Sequence, residues 1–209
     1  TDEAQLVRAE DRPALLAELA GRSPAGDGET TMRLWLKALA ASDDGKGLKP
    51  DAALRARVQR VLADPVLART HMDVLTNGAD DMVKVLSDED SPERAALVRQ
   101  FDAVLARLQA DATLSRGDRV GALIGRVKLA RIGVPKAQTA PTMPEPLLRD
   151  LREMAARMDR EISDGYERQS VITALAYVQG EAGLWADSEA LLKANLAKSH
   201  SPYYLMSQL

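Results

Sequence analysis

The sequence predicts an all-α protein built from antiparallel helix pairs stacked into an α-α superhelix. Three observations predict it. Apolar residues recur almost throughout at the roughly 3.6-residue spacing of an amphipathic helix. Pro, Gly, Ser and Asp stand at the ends of those periodic stretches, where helices start and stop. No stretch alternates long enough, or clusters enough β-branched residues, to make a strand. The composition agrees, being rich in Ala, Leu, Arg, Asp and Glu and holding only seven aromatic residues in 209.

The elements follow in order. The first helix starts near Asp11, with Pro13 in its first turn, and ends at Gly21. Ser23 to Gly28 form a loop, and Thr30 or Thr31 caps a helix carrying Leu34, Trp35 and Leu39. The turn Asp43-Asp44-Gly45-Lys46-Gly47 ends it. Pro50 opens a helix whose Leu54, Val58, Val61 and Leu62 fall at i, i+4, i+7 and i+8. Pro65 starts another, which Asn77-Gly78 is expected to end, leaving a short helix around Met82 to Leu86. Ser91-Pro92-Glu93 combines a hydroxyl cap, a proline at the first position and a carboxylate at the positive end of the dipole. The helix after it carries the stripe Leu97, Phe101, Val104, Leu105 and Leu108. Ser115 and Asp118 form a capping-box variant for a helix holding Val120, Leu123, Ile124 and Val127 and ending at Gly133. Pro135, Pro141, Pro144 and Pro146 mark residues 134 to 146 as a linker between a helical array over 1–133 and helical hairpins over 147–209. Beyond it Leu148, Leu151, Ala155, Met158 and Ile162 repeat at near-heptad spacing, and Gly183 splits the helices that follow.

Net charge and residue types exclude several classes of function. The formal net charge is -3 with both signs interspersed, which lacks the basic face that nucleic acid requires. No run approaches the roughly 18 apolar residues of a membrane helix. The absence of Cys excludes disulfides, thiolate zinc sites and a cysteine nucleophile within this sequence. His71 and His200, the two histidines, each lack a second His at metal spacing and read as surface or locally hydrogen-bonded side chains. Asp43 to Gly47 lacks the spacing of a phosphate-binding or calcium loop. Asp80-Asp81 and Asp88-Glu89-Asp90 fall at predicted helix ends, where solvated acids complement the dipole. Met154 and Met158, four residues apart, read as core rather than as a copper pair. No cofactor and no catalytic residue is predicted.

The last 44 residues differ from the rest: they hold five of the seven aromatics but only seven Asp, Glu, Lys or Arg, against 52 in the preceding 165. Tyr177, Trp185, Tyr203 and Tyr204 are the candidate partner-binding residues, since aromatics dominate binding hot spots. The alternative is a packing seam, inside the repeat stack or against helices beyond the given sequence, in which Tyr203 and Tyr204 pack back on Trp185 or lie exposed at a cut edge, and the sequence favours the seam. The chain begins at Thr1 rather than Met and stops soon after a Ser201-Pro202 helix start, so a fragment with a truncated last helix is expected.

The stretch Gln169 to Pro202 resembles a tetratricopeptide (TPR) repeat: Leu175 and Ala176 precede the Gly183 turn, and Trp185 and Leu192 follow it. Gln179, Ser188 and Asn195 depart from that pattern, standing where Tyr, Ala and Ala are usual. The segments Tyr166 to Tyr177, Glu181 to Trp185 and Leu191 to Met206, with Ser115 to Ala130 earlier, resemble the C-terminal region of a bacterial thioredoxin-family group. Ser199-His-Ser-Pro-Tyr-Tyr204 is the most specific piece, and the resemblance covers about half the chain. It implies a long helical, TPR-like extension behind a Cys-x-x-Cys domain in an exported protein, periplasmic or otherwise outside the cytoplasm. With no Cys, no redox residue carries over. The expected role is a non-catalytic interaction module for a protein or peptide partner, with an attached thioredoxin-like domain as one candidate. A self-contained all-α ligand-binding protein or enzyme, using a pocket near His71 or Asp80-Asp81, is the alternative.

Overall fold

The computed structural model describes residues 52–89, 91–132, 143–162 and 165–198, together with Leu15 and Glu18. Eight α-helices and one short 3-10 turn make up the described residues, which contain no strand. The helices are α1 (Ala52–Ala63), α2 (Pro65–Thr70), α3 (Met72–Leu86), α4 (Pro92–Ala110), α5 (Arg116–Ile132), α6 (Glu145–Glu161), α7 (Gly165–Glu181) and α8 (Trp185–Asn195), with the turn at Leu196–Lys198. Leu15 and Glu18 are helical, as expected of the first predicted helix. The remaining expectations before Pro50, those for 133–142 and those for the tail from Ser199 lie outside the described residues. The chain divides into two compact units, Thr1–Val104 and Leu105–Leu209.

In the first unit the predicted stripes are buried: Leu54, Val58, Val61 and Leu62 on α1, and Leu97, Phe101 and Val104 on α4. Asp64 caps α2 by accepting from the Val66 and Leu67 amides at 2.8 and 3.3 Å, with Pro65 at the first position. Ser91 caps α4 through the Arg94 amide at 3.1 Å. Arg55 ties α1 to its neighbours, donating to the Leu86 carbonyl and to Glu93, each at 2.8 Å.

Three expectations here are corrected. The helix after Pro65 breaks at His71, and α3 runs unbroken through Asn77-Gly78 to Leu86. Val74, Leu75, Ala79, Met82, Val83 and Leu86 form one continuous buried face. Burying side chains of that size contributes about 1.5–3 kcal/mol each, which outweighs the roughly 1 kcal/mol that a helical glycine costs. Asp80 and Asp81 therefore lie inside a helix rather than at its end. Both accept from Lys84, at 3.0 and 2.9 Å. Partial burial pulls the Lys84 ammonium down, but the two carboxylates together outweigh it and raise the group above its usual range. His71 is also buried, at the junction of α2 and α3, and is not a surface side chain.

The second unit is organised around α7, which packs against α5, α6 and α8. One core runs from Val120, Leu123 and Val127 on α5 through Leu147, Leu151, Met154 and Met158 on α6 to Val171, Ile172, Leu175 and Val178 on α7. Met154 and Met158 are core, as predicted. Helices α5 and α6 share this core across the proline-rich stretch. Its last residues belong to α6: Pro144 is the N-cap and Pro146 lies in the first turn. Arg126 reinforces the packing, donating to Gln109 and Asp150 at 2.7 Å each.

Gly183 turns α7 into α8. Its φ is +81°, the Gly183 amide donates to the Gly180 carbonyl at 2.9 Å, and the Leu184 amide donates to the Gln179 carbonyl at 2.8 Å. These are the two bonds of a Schellman motif, with glycine at the left-handed position. A Cβ at Gly183 would meet nothing within 4 Å, so the cost of adding one is conformational rather than steric. Gly183→Ala is expected to destabilise the second unit by about 1–2 kcal/mol in urea unfolding.

Candidate functional site

The charge-poor character of the last 44 residues has a structural cause in α7. A helix covered by three neighbours has little surface for charge. On α7 Val171, Ile172, Leu175, Ala176, Val178 and Gln179 are all buried. Tyr177, by contrast, is 62% exposed, and at the start of α8 Trp185 is 70% exposed. Both of these large aromatics face outward. Tyr203 and Tyr204 lie outside the described residues.

Tyr177 and Trp185 border one notch of about 120 Å³, lined also by Thr173, Ala176, Gly180, Glu181, Ser188 and Leu192. The α7 members Thr173, Ala176, Tyr177 and Gly180 stand at i, i+3, i+4 and i+7, the four corners of a hole on one helix face. From α8, Trp185, Ser188 and Leu192 stand at i, i+3 and i+7 and close the other side. The notch is smaller than the roughly 300–1,000 Å³ of typical small-molecule sites and matches one inserted side chain.

Gly180 sets the position of the indole. A Cβ there would lie 2.9 Å from Trp185 Cζ3, 3.3 Å from Cε3 and 3.5 Å from Cη2. The distances rise so little between neighbouring atoms that the six-membered ring must lie across the glycine, leaving its other side to solvent. Gly180→Ala is expected to shift Trp185 fluorescence, read in a Trp35→Phe background. It should leave stability unchanged or raise it by up to about 1 kcal/mol, the helix-propensity gain over glycine. An unaltered Trp185 spectrum would contradict the contact.

Two departures from the repeat pattern turn out to be polar ties that hold the notch in place. Ser188 donates from Oγ to the Ala176 carbonyl at 2.7 Å, joining α8 to α7 beneath the notch. Asn195 accepts from Arg168 Nε at 2.7 Å and donates to the Leu191 carbonyl at 2.8 Å. Arg168, 6% exposed, also donates to the Asp159 carbonyl at 2.9 Å, to the Ile162 carbonyl and to the Asp159 carboxylate. One guanidinium thus ties α6, α7 and α8 together. Gln179, the third departure, is buried with its Oε1 unbonded.

The residues that sequence reasoning missed are Gly180 and Arg168. Gly180 could have been found as a second glycine within five residues of a tryptophan. Arg168 could have been found as a lone cation on an otherwise uncharged helix face. Around the notch the charges are carboxylates held in exposed pairs: Glu181 with Arg131, Asp187 with Arg152 at 2.7 Å, and Glu189 with Lys193. The Lys193 hydrogen bond holds the Glu189 carboxyl below the usual carboxylate range. Among the described residues no three His, Cys, Asp or Glu side chains gather as a metal site, and no helix is long and apolar enough to cross a membrane. Compared with protein-family models, curated proteins and solved structures, the chain matches none.

Proposed function

We propose that this chain is a non-catalytic, TPR-like helical module that docks a protein or peptide through the face formed by Tyr177 and Trp185. The observation that carries the proposal is the outward display of two large aromatics around a one-side-chain notch on a hairpin fixed by Gly183, Ser188 and Arg168. Rigid aromatic anchors beside a small hole supply much contact area at little entropic cost. The resemblance of Tyr166 to Met206 supports assigning the module to an exported bacterial thioredoxin-family protein, where it would recruit or position a partner for the redox domain.

Photo-crosslinking tests the docking role. A benzoylphenylalanine at Tyr177 is expected to give a defined adduct in the producing cell, lost when Trp185 is also changed to Ala. The same probe at Val66, 73% exposed in the other unit, should not give that adduct. Identical adducts from both positions, or none from Tyr177, would contradict the docking role. The thioredoxin-family assignment is tested separately by the full coding sequence, which should place a Cys-x-x-Cys domain upstream.

A further inference from the structure

Of the residues that line the notch, Glu181 is the one that carries a charge. The Ser188 hydroxyl is committed to the Ala176 carbonyl, so it is not the main attractor for a partner. The Thr173 hydroxyl is likewise committed, donating to the Gln169 carbonyl at 2.7 Å, which leaves the aromatic surface of Tyr177 and Trp185 and the carboxylate of Glu181. Aromatic faces attract cations through their quadrupole, and carboxylates do so through charge. The floor of Ala176 and Leu192 is apolar and suits the aliphatic stem of a long basic side chain, whose head stays near water.

We infer that the notch receives a lysine or arginine side chain from a basic segment of the partner; this rests on the docking role of the Tyr177–Trp185 face. The stem lies over Ala176 and Leu192 between the two aromatics, and the cation reaches Glu181. Glu181 is already paired with Arg131, but both side chains are substantially exposed, and exposed pairs contribute little net stability. The carboxylate can therefore exchange one cation for another, and Arg131 acts as a resident competitor. Its removal should strengthen binding rather than weaken it.

The test is fluorescence anisotropy with the full chain and a labelled short Gly-Ser peptide carrying spaced lysines, against counterparts carrying norleucine or glutamate. The lysine peptide is expected to bind about tenfold more tightly than the norleucine peptide, with no binding of the glutamate peptide. Trp185→Ala and Glu181→Gln should each weaken the lysine peptide, and Arg131→Gln should tighten it, with the helical circular dichroism of every variant unchanged. Equal binding of lysine and norleucine peptides would overturn the cation assignment. So would no lysine-peptide binding, or binding indifferent to Trp185→Ala. None of these results touches the docking role itself, which the Tyr177 crosslink decides independently.

Discussion

Arg168→Met is expected to destabilise the second unit by about 3 kcal/mol. The buried guanidinium serves Asn195, two carbonyls at the end of α6 and the Asp159 carboxylate, so its loss orphans several polar groups at once. Breaking a buried ionic network by removing one partner costs roughly 3–5 kcal/mol, and each buried polar group left unsatisfied costs roughly 1–3 kcal/mol. The lower end applies because Asp159 is about a third exposed and also lies 3.5 Å from Lys198. Urea unfolding followed by circular dichroism reads the loss. Hydrogen exchange should place it in α6, α7 and α8. Adding Asn195→Leu to Arg168→Met should recover part of it, because replacing both partners removes an orphan instead of creating one. A loss below about 1 kcal/mol would mean that Arg168 is not the tie between these helices.

Phe101→Ala is expected to cost more, about 3–5 kcal/mol, and to act in the other unit. Phe101 is the chain's one phenylalanine and is fully buried on α4, where Leu97 and Val104 are also buried. Its truncation removes an aromatic ring from water-free contact and leaves a cavity that helices relax only partly to fill. Phe101→Leu, which keeps most of the volume, should lose less than half as much. Equal losses for the two variants would indicate that the site collapses around the smaller side chain.

The helices were legible in the sequence wherever apolar spacing and cap chemistry agreed. Ser91-Pro92, Ser115 with Asp118, and Gly183 each make the bond or turn that their residue types require. The stripes on α1, α4, α5 and α6 bury most of the residues that the period selects, with Ile124 and Leu148 only partly covered. Asn77-Gly78 misled because a turn dipeptide is a local signal, and the buried face from Val74 to Leu86 overrode it. The end of the proline-rich stretch marks the start of α6, but such punctuation does not say what the flanking helices pack against.

The site was half legible. Tyr177 and Trp185 stood out by type, but their direction did not, since an aromatic on a charge-poor helix reads equally well as core. Their exposure follows from α7 being covered by α5, α6 and α8 on its other sides, a tertiary fact that no single window of sequence contains. Ser188 and Asn195 looked like flaws in a repeat pattern. They are the polar groups that let a nearly uncharged hairpin hold a buried arginine and a fixed register.

The outward display of Trp185 on a rigid hairpin is the central claim, and iodide quenching of its fluorescence tests it most directly. In a Trp35→Phe chain, Trp185 is expected to emit as a water-exposed indole, to be quenched readily by iodide, and yet to show the slow local motion of a ring seated on Gly180. A blue-shifted emission protected from iodide would place the indole inside the protein and remove the surface on which the proposed function depends.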